Sequence, residues 1–134
     1  MIPSINNILA SGIEIETMPS KDYHLVTQEQ AIRGKVDDLE TMRQVVYKIL
    51  NTERYQYVIY SFDYGVEFQD LIGEPVTYVC PEVKRRIQEA LLQDDRITAV
   101  DSFKFDTSRK HEVVCAFEAH TIFGEIMTEK VVSI

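Results

Sequence analysis

The stretch that decides the fold runs from Lys48 to Gly73 and reads KILNTERYQYVIYSFDYGVEFQDLIG. It leads from the end of a helical pattern into Tyr55–Tyr60, a run of aromatic and β-branched residues that is typical of a strand. Gly65 follows in a turn, where glycine adopts a positive φ without the steric penalty of a β-carbon. Val66–Leu71 is short and apolar and predicts one or two helical turns. The stretch therefore predicts a helix, a strand and a turn in succession, and it contains no catalytic motif.

A β-hairpin is predicted on the N-terminal side of this stretch. Tyr23–Val26 and Ala31–Val36 have the composition of strands and flank the polar tetrapeptide TQEQ. Gly34 interrupts the second strand and indicates a bulge. Ahead of the hairpin, Ile13–Glu16 alternates with period two, which predicts a short strand within residues 1–18. Because Asn, Ser, Gly and Pro interrupt residues 1–18, we expect them to form an extended N-terminal arm.

Two helices are predicted from start signals and apolar periodicity. Asp37 is a suitable N-cap, and Glu40 stands three residues later in capping-box spacing, which predicts a helix over residues 38–51. Pro81 fits the first position of a second helix, because proline is tolerated there, and this helix should end near Gln93. Apolar residues recur every three or four positions in both helices: Leu39, Met42, Val46 and Ile49 in the first, and Val83, Ile87, Ala90 and Leu91 in the second.

The last third of the chain is β-patterned. Residues 97–105 carry apolar side chains at odd positions, and Asp101 interrupts this series, which indicates an edge or a bulge. The odd apolar positions are Ile97, Ala99, Phe103 and Phe105. Residues 111–122 and 125–132 predict two further strands joined by a tight turn at Phe123-Gly124. The fold class is therefore α+β, and residues 19–134 should form a single domain in which two main helices pack on a mainly antiparallel sheet.

The composition limits the kinds of partner that the protein can bind and the cellular compartment in which it is expected. The 134 residues carry a net charge of −8, which argues against the concentrated Lys and Arg surface that nucleic-acid binding requires. The sequence has no signal-peptide pattern and no apolar run of membrane-spanning length, so no membrane contact is expected. Cys80 and Cys115 have no neighbouring Cys or His at metal-ligand spacing, and we expect both to be free thiols in a reducing cytoplasm.

No catalytic, cofactor-binding or metal-binding motif is present in the sequence. The three histidines stand beside no plausible nucleophile, and we interpret His24, His111 and His120 as surface or strand-end residues. A glycoside hydrolase uses two carboxylates of different pKa. Four carboxylates lie close enough in sequence to offer such a pair: Asp63, Glu67, Asp70 and Glu74. Because 22 acidic residues produce such groupings by chance, a peptidoglycan hydrolase is only the alternative interpretation.

The aromatic residues around Gly65 also have two interpretations. They contribute to the core and to one amphipathic face, or they form a patch that binds a partner protein. The residues concerned are Tyr55, Tyr57, Tyr60, Phe62, Tyr64 and Phe68. The sequence leaves both interpretations open.

Several motifs resemble those of the baseplate wedge or sheath-initiator family of contractile phage tails, also described as lysozyme-like baseplate wedge proteins. Gly34-Lys35-Val36-Asp37 matches the approach to the first helix, and Lys48–Tyr55 matches the end of that helix. Ile59–Glu67 and Asp70–Gly73 match the elements that follow. The resemblance covers residues 22–134 and is closest to the branch found in defective prophages and phage-tail-like bacteriocins.

This resemblance implies a structural protein rather than an enzyme, and it suggests one set of interface residues. The wider family carries Glu-Pro-Arg after its C-terminal helix, where this chain has Asp94-Asp95-Arg96. Asp95 replaces the proline and removes its restraint on φ. Arg96 matches the family arginine, and the resemblance implies that its planar guanidinium contacts the helical core bundle of the wedge.

The resemblance also implies a mechanism of assembly. A sheath initiator is similar to the inner domain of a sheath subunit, and it presents strand edges to which arms of the first sheath subunits add a strand. The C-terminal hairpin leaves such an edge near Thr128 and Lys130. The implied partners are sheath subunits, wedge core-bundle proteins and tube or hub proteins, with no cofactor. The implied locations are the cytoplasm of the bacterial host during assembly and the baseplate of the finished tail.

Overall fold

The structure, a computed structural model, describes residues 20–134. Its elements follow in the order β1 (Asp22–Val26), β2 (Ala31–Val36), α1 (Asp38–Leu50), α2 (Val76–Leu92), β3 (Ile97–Asp106), β4 (Glu112–Thr121) and β5 (Gly124–Ser133), with a turn of 3-10 helix at Gln69–Leu71. β1 and β2 form a two-stranded antiparallel sheet, and β3, β4 and β5 form a three-stranded antiparallel sheet in that order. The predicted α+β class with two main helices is confirmed. The predicted arm over residues 1–18 lies outside the described residues.

The core lies between α1, α2 and one face of the three-stranded sheet. On β4 the odd-numbered residues from Val113 to Ala119 are buried, because alternate side chains of a strand point to opposite faces. The buried cluster contains Met42, Val46, Ile49, Val79, Val83, Ile87, Leu91, Val113, Cys115, Phe117, Ala119, Ile126 and Val132. Each large apolar side chain removed from water contributes about 1.5–3 kcal/mol. We call this buried side of the sheet the inner face and the opposite side the outer face.

Helix α1 begins as the sequence predicts. The side chain of Asp37 accepts a hydrogen bond from the amide of Asp38 at 2.8 Å, and the helix ends at Leu50, one residue before the predicted end. The capping-box role predicted for Glu40 is not observed, because its carboxylate pairs with Arg43 at 3.1 Å. The cap is therefore supplied by Asp37 alone.

Helix α2 begins five residues before the predicted start, and the assignment of Pro81 to its first position is wrong. Pro75 is the N-cap with φ −69° and ψ 147°, and its carbonyl accepts bonds from the amides of Tyr78 and Val79 at 3.0 Å. Pro81 lies inside the helix and has no N–H to donate there. The end at Leu92, with Gln93 as C-cap, confirms the predicted terminus. Neither helix is long and apolar enough to cross a membrane.

The predicted strand at Tyr55–Tyr60 is wrong, because these residues form a loop. A single parallel bridge between Glu53 and Val66 closes the loop, with Val66 N donating to the carbonyl of Thr52 at 3.0 Å. We call residues 52–66 the aromatic loop. Its tyrosines pack on one another rather than on a neighbouring strand: Tyr60 stacks on Tyr64 with ring centroids 4.4 Å apart. Strand propensity reflects fit to a half-buried pleated surface, and this loop has no such neighbour within residues 20–134.

Strand β3 confirms the predicted irregularity at Asp101 but not the predicted apolar face. The pairing with β4 shifts between Ile97 and Ala99 and again between Asp101 and Lys104. The first shift turns Ala99 outward and buries Val100, so the odd-position face does not hold across it. The second coincides with a positive φ of 56° at Ser102. Strand β3 is therefore bulged at two places.

The hairpin of β1 and β2 is tied to α1 by side-chain bonds. Gln44 accepts from the amide of Leu25 and donates to the carbonyl of Tyr23, both at 2.8 Å, and Lys48 pairs with Asp22 at 2.9 Å. The register shifts opposite Gly34, whose φ is +67°, which confirms the predicted bulge. These three bonds anchor the hairpin on α1.

Candidate protein-interaction surfaces

The outer edge of β5 is a regular strand edge. Within residues 20–134 no other strand pairs with it, and its ten pairs with β4 run without a register shift. The amide of Ile134 donates to the carbonyl of His111 at 3.0 Å. Because peptide groups of an antiparallel strand alternate in direction, the even-numbered residues of β5 bond to β4. The N–H groups of Met127, Glu129 and Val131 therefore point outward from the sheet.

Thr128 and Lys130, which the sequence predicts to lie near this edge, have their side chains on the inner face. Ile126 and Val132 share that face and are buried, while Thr128 and Lys130 are half-buried. Lys130 Nζ donates to Asn51 Oδ1 at 3.0 Å, and burial lowers the pKa of the Lys130 ammonium. The groups available at the edge are thus the backbone N–H and C=O groups of their odd-numbered neighbours.

A groove of about 320 Å³ flanks the C-terminal end of this edge. Its walls are residues 130–133 of β5 on one side and parts of the aromatic loop and the 3-10 turn on the other, including Tyr57, Phe68 and Ile72. Tyr57 and Ile72 are half or more exposed. An extended segment beside β5 would therefore contact apolar and aromatic side chains as well as the strand.

Asp94-Asp95-Arg96 forms the connection from α2 to β3. Arg96 clamps Asp94 with two hydrogen bonds, Nε to Oδ1 at 3.0 Å and Nη2 to Oδ2 at 2.8 Å. Burial raises the pKa of Asp94, but the bonds from Arg96 outweigh it and hold that pKa below its ordinary value. The carbonyl of Arg96 also accepts from the amide of Ile122 at 3.0 Å, which joins this turn to the β4–β5 turn. Asp95 is exposed.

The clamp lines a groove of about 430 Å³ between the ends of α1 and α2 and the aromatic loop. Lys48 and Tyr64 lie on its other walls. Asp94 and Arg96 are thus brought together, whereas Lys130 lines the other groove. The predicted interface residues therefore belong to two separate surfaces.

The aromatic loop carries an exposed apolar patch. Val58 is fully exposed, Ile59 is 85% exposed and Phe62 is 79% exposed. Tyr64 and Phe68 pack against the core, while the tip of the loop does not. Exposed apolar patches of this kind mark interaction sites in soluble proteins, so the structure favours the partner-binding interpretation for the tip.

A histidine–carboxylate cluster on the outer face was not predicted from the sequence. His120 Nε2 lies 2.9 Å from Asp101 Oδ1, and His120 Nδ1 lies 3.4 Å from Glu125 Oε1. Asp101, Glu118 and His120 bring ligand-type atoms within 4.8 Å of one another. The hydrogen bond with Asp101 raises the pKa of His120, and the neighbouring Glu125 raises that of Glu118. Only the spacing of Glu118 and His120, two apart on one strand face, was visible in the sequence.

Of the carboxylates considered for glycoside hydrolysis, Asp70 lies in an environment that favours its ionised form. Arg86 donates to Asp70 and holds the pKa of Asp70 below its ordinary value, which is the reverse of what a general acid requires. Arg86 also bonds to the carbonyl of Glu67 and pairs with Glu82. Arg86 thus joins Asp70 and Glu82 in an ion-pair network that ties the 3-10 turn to α2.

The geometry is that of a structural domain with a regular open edge, and comparisons with known proteins agree. The chain belongs to the family of contractile injection system sheath initiators, whose sequence model matches residues 18–124. It is 42% identical over 96 residues to the phage-like element PBSX protein XkdS of Bacillus subtilis strain 168, and the alignment covers 69% of this chain and 67% of that protein. The predicted family is confirmed, and the protein has a structural baseplate role in sheath initiation.

Proposed function

We propose that the protein starts sheath assembly by accepting a β-strand from a sheath subunit along the outer edge of β5. The observation that supports this is the unbroken edge of β5, a ten-residue strand paired with β4 in perfect register. Its outward N–H and C=O groups can each bond to an added strand. The proposal includes the predicted division into an arm, residues 1–18, and a domain that begins at residue 19.

The two edges of the three-stranded sheet differ in a way that selects β5. The β3 edge is bulged at two places and turns through a positive φ at Ser102, and bulges prevent an incoming strand from keeping its register. The β5 edge has neither feature. An added strand therefore has one regular edge of this sheet to join.

The remaining assignments follow from the family. We propose that the partners are sheath subunits, wedge core-bundle proteins and tube or hub proteins, met in the bacterial cytoplasm during assembly and retained in the tail baseplate. The Asp94–Arg96 turn, with Asp95 exposed beside it, is the proposed contact with the core bundle. We also propose that the protein is not an enzyme, and purified protein should leave no clearing in a peptidoglycan zymogram. Clearing that a carboxylate-to-amide substitution abolishes would support the hydrolase alternative.

Proline substitutions in β5 test the proposed strand addition, because each proline removes one backbone N–H donor. Val131→Pro removes an outward N–H beside the groove, so it should preserve the thermal stability of the domain and stop sheath polymerisation on baseplates. Lys130→Pro removes an inward N–H that bonds to β4, so it should lower the melting temperature as well. Val131→Ala is the matched control, because it removes the same side chain and keeps the N–H. We expect Val131→Ala baseplates to polymerise sheath normally.

Two results would contradict the edge assignment. Normal sheath polymerisation on Val131→Pro baseplates, and likewise on Met127→Pro baseplates, would show that no strand is added to β5. Equal loss of polymerisation in Val131→Ala and Val131→Pro would show that the valine side chain matters and the N–H does not.

A further inference from the structure

The outer face of the three-stranded sheet carries most of the excess negative charge of the chain. Fourteen strand residues point to it: Ala99, Asp101, Lys104 and Asp106 from β3; Glu112, Val114, Ala116, Glu118 and His120 from β4; and Glu125, Met127, Glu129, Val131 and Ser133 from β5. Six of these are carboxylates and one is lysine, which gives a net charge of −5 with histidine neutral, against −8 for the whole chain. The charge is therefore concentrated on one surface.

Apolar side chains lie among the carboxylates of this face, and Glu129 stands between Met127 and Val131 on β5. Val114 and Val131 are directly paired across β4 and β5, and Met127 is paired with Glu118. Met127 is 85% exposed and Val131 is 44% exposed. Exposed apolar side chains beside charged groups offer both kinds of contact that a protein–protein interface uses.

The arrangement of the carboxylates is unfavourable without a cation beside them. Glu125 lies close enough to Glu118 to raise the pKa of the Glu118 carboxyl. His120 bridges Asp101 and Glu125 but supplies at most one positive charge for the cluster. A positively charged group from outside would offset this repulsion, because unlike charges favour the ionised carboxylates.

The chain does not supply such a group within residues 20–134, where no lysine or arginine pairs with Asp101, Glu118 or Glu125. Each of its seven arginines lies in the described domain and already pairs with a carboxylate there: Arg33, Arg43, Arg54, Arg85, Arg86, Arg96 and Arg109. Residues 1–20 contain neither lysine nor arginine. Because the whole chain carries a net charge of −8, a second copy is a poor match in charge for this face, and so are residues 1–20 and nucleic acid.

We propose that the outer face docks a lysine- and arginine-bearing surface of another protein, with Met127 in the contact and Glu118, Glu125 and Glu129 pairing with the cations. Opposite charges accelerate encounter and fix orientation, and their contribution falls as salt screens it. This docking uses side chains above the sheet and leaves the backbone groups of the β5 edge untouched. It therefore stands independently of strand addition.

Matched triple variants test the proposal. The face variant carries Glu118→Gln, Glu125→Gln and Glu129→Gln. The control variant carries Asp38→Asn, Asp63→Asn and Glu74→Gln, three exposed carboxylates away from the face that form no ion pair within residues 20–134. Both change the net charge by the same amount and keep every backbone N–H of β5.

The probe is a twelve-residue peptide of alternating arginine and leucine, titrated into labelled full-length protein by NMR at low salt. We expect the largest shift changes at outer-face residues of β4 and β5, and we expect the face variant to bind about tenfold more weakly than the control variant. In parallel, recovery of each variant in assembled particles is measured. The face variant should be lost from particles, while the control variant should be incorporated normally.

Three outcomes would overturn the proposal. The first is an equal loss of peptide affinity in both variants, with shift changes spread over all acidic residues. The second is normal incorporation of the face variant into particles. The third is saturable shift changes on the outer face with Mg²⁺ or Zn²⁺ alone that abolish peptide binding, which would make the cluster a cation site instead. None of these outcomes depends on whether Val131→Pro blocks sheath polymerisation.

Discussion

The carbonyl oxygen of Thr52 lies 2.5 Å from the point where a β-carbon on Gly65 would stand. Gly65 also has a φ of +92°, a conformation that other residues rarely adopt. Gly65→Ala should therefore open the closure of the aromatic loop and lower the free energy of unfolding by about 3 kcal/mol. Urea denaturation of the purified domain measures this loss.

Gly73→Ala is the matched control for that substitution. Gly73 has a similar φ of +89°, but nothing lies within 4 Å of its β-carbon position. It should lose about 1 kcal/mol from backbone conformation alone. Equal losses in the two variants would mean that the contact with Thr52 is not what requires glycine at position 65.

Arg96→Ala should destabilise the domain. The substitution leaves Asp94 half-buried without its two charge-assisted bonds, which should cost about 1–3 kcal/mol in the urea midpoint analysis. Asp94→Asn combined with Arg96→Ala should recover part of the loss, because no buried charge is then left unpaired. Arg43→Ala breaks an exposed pair with Glu40 and should cost less than about 0.5 kcal/mol. A loss from Arg96→Ala as small as that from Arg43→Ala would contradict a stabilising clamp.

The His120–Asp101 pair should make stability depend on pH. The hydrogen bond with Asp101 raises the pKa of His120 above its ordinary 6.5, so its contribution is complete below that value and is lost as pH rises through the raised pKa. The same bond lowers the pKa of Asp101 below 3.8, so the contribution of Asp101 is lost only as pH falls through that lowered value. NMR titration of the imidazole should give a pKa above 6.5 that Asp101→Asn reduces. Glu129→Gln, on the same face, should change it less; an equal change would point to the general charge of the face.

Cys115 should be unreactive in the folded protein. Burial raises the pKa of its thiol to about 12, with a further small increase from Cys80, so roughly one molecule in ten thousand carries the thiolate at pH 8. In the Cys80→Ser variant, reaction of Cys115 with a disulfide reagent should proceed only at the rate of unfolding and become fast in urea. The half-buried Cys80, in the Cys115→Ala variant, should react first. Faster labelling of Cys115 than of Cys80 in native protein would contradict this burial.

The sequence predicted the elements whose signals are local and missed those set by distant neighbours. The cap at Asp37, the bulges at Gly34 and Asp101 and the C-terminal hairpin depend on nearby residues, and each is observed. Tyr55–Tyr60 has strand composition, but no strand within residues 20–134 lies beside it to form a ladder.

The predicted start of α2 is wrong for a related reason. Pro75 and Pro81 are both acceptable residues for the first turn of a helix, and packing of Val79 into the core favours Pro75. The candidate interaction sites are likewise predicted only where their residues are close in sequence. Asp94 and Arg96 are two apart in sequence, but Asp101 and His120 meet only because β3 and β4 pair, and no local pattern shows that pairing. The family resemblance supplied the function, which no residue pattern of this chain would have indicated alone.

Because β3 is bulged and β5 is regular, only one edge of the three-stranded sheet suits strand addition. A sheet with two regular edges can accept a strand at each edge, so an unlimited series of strands can be added to it. A sheet with one regular edge accepts a strand on that side, and no strand is added on the other side. If a strand is added to β5 as proposed, the two bulges of β3 would restrict further additions to one side of the sheet, and the array built on it would have a single direction of growth.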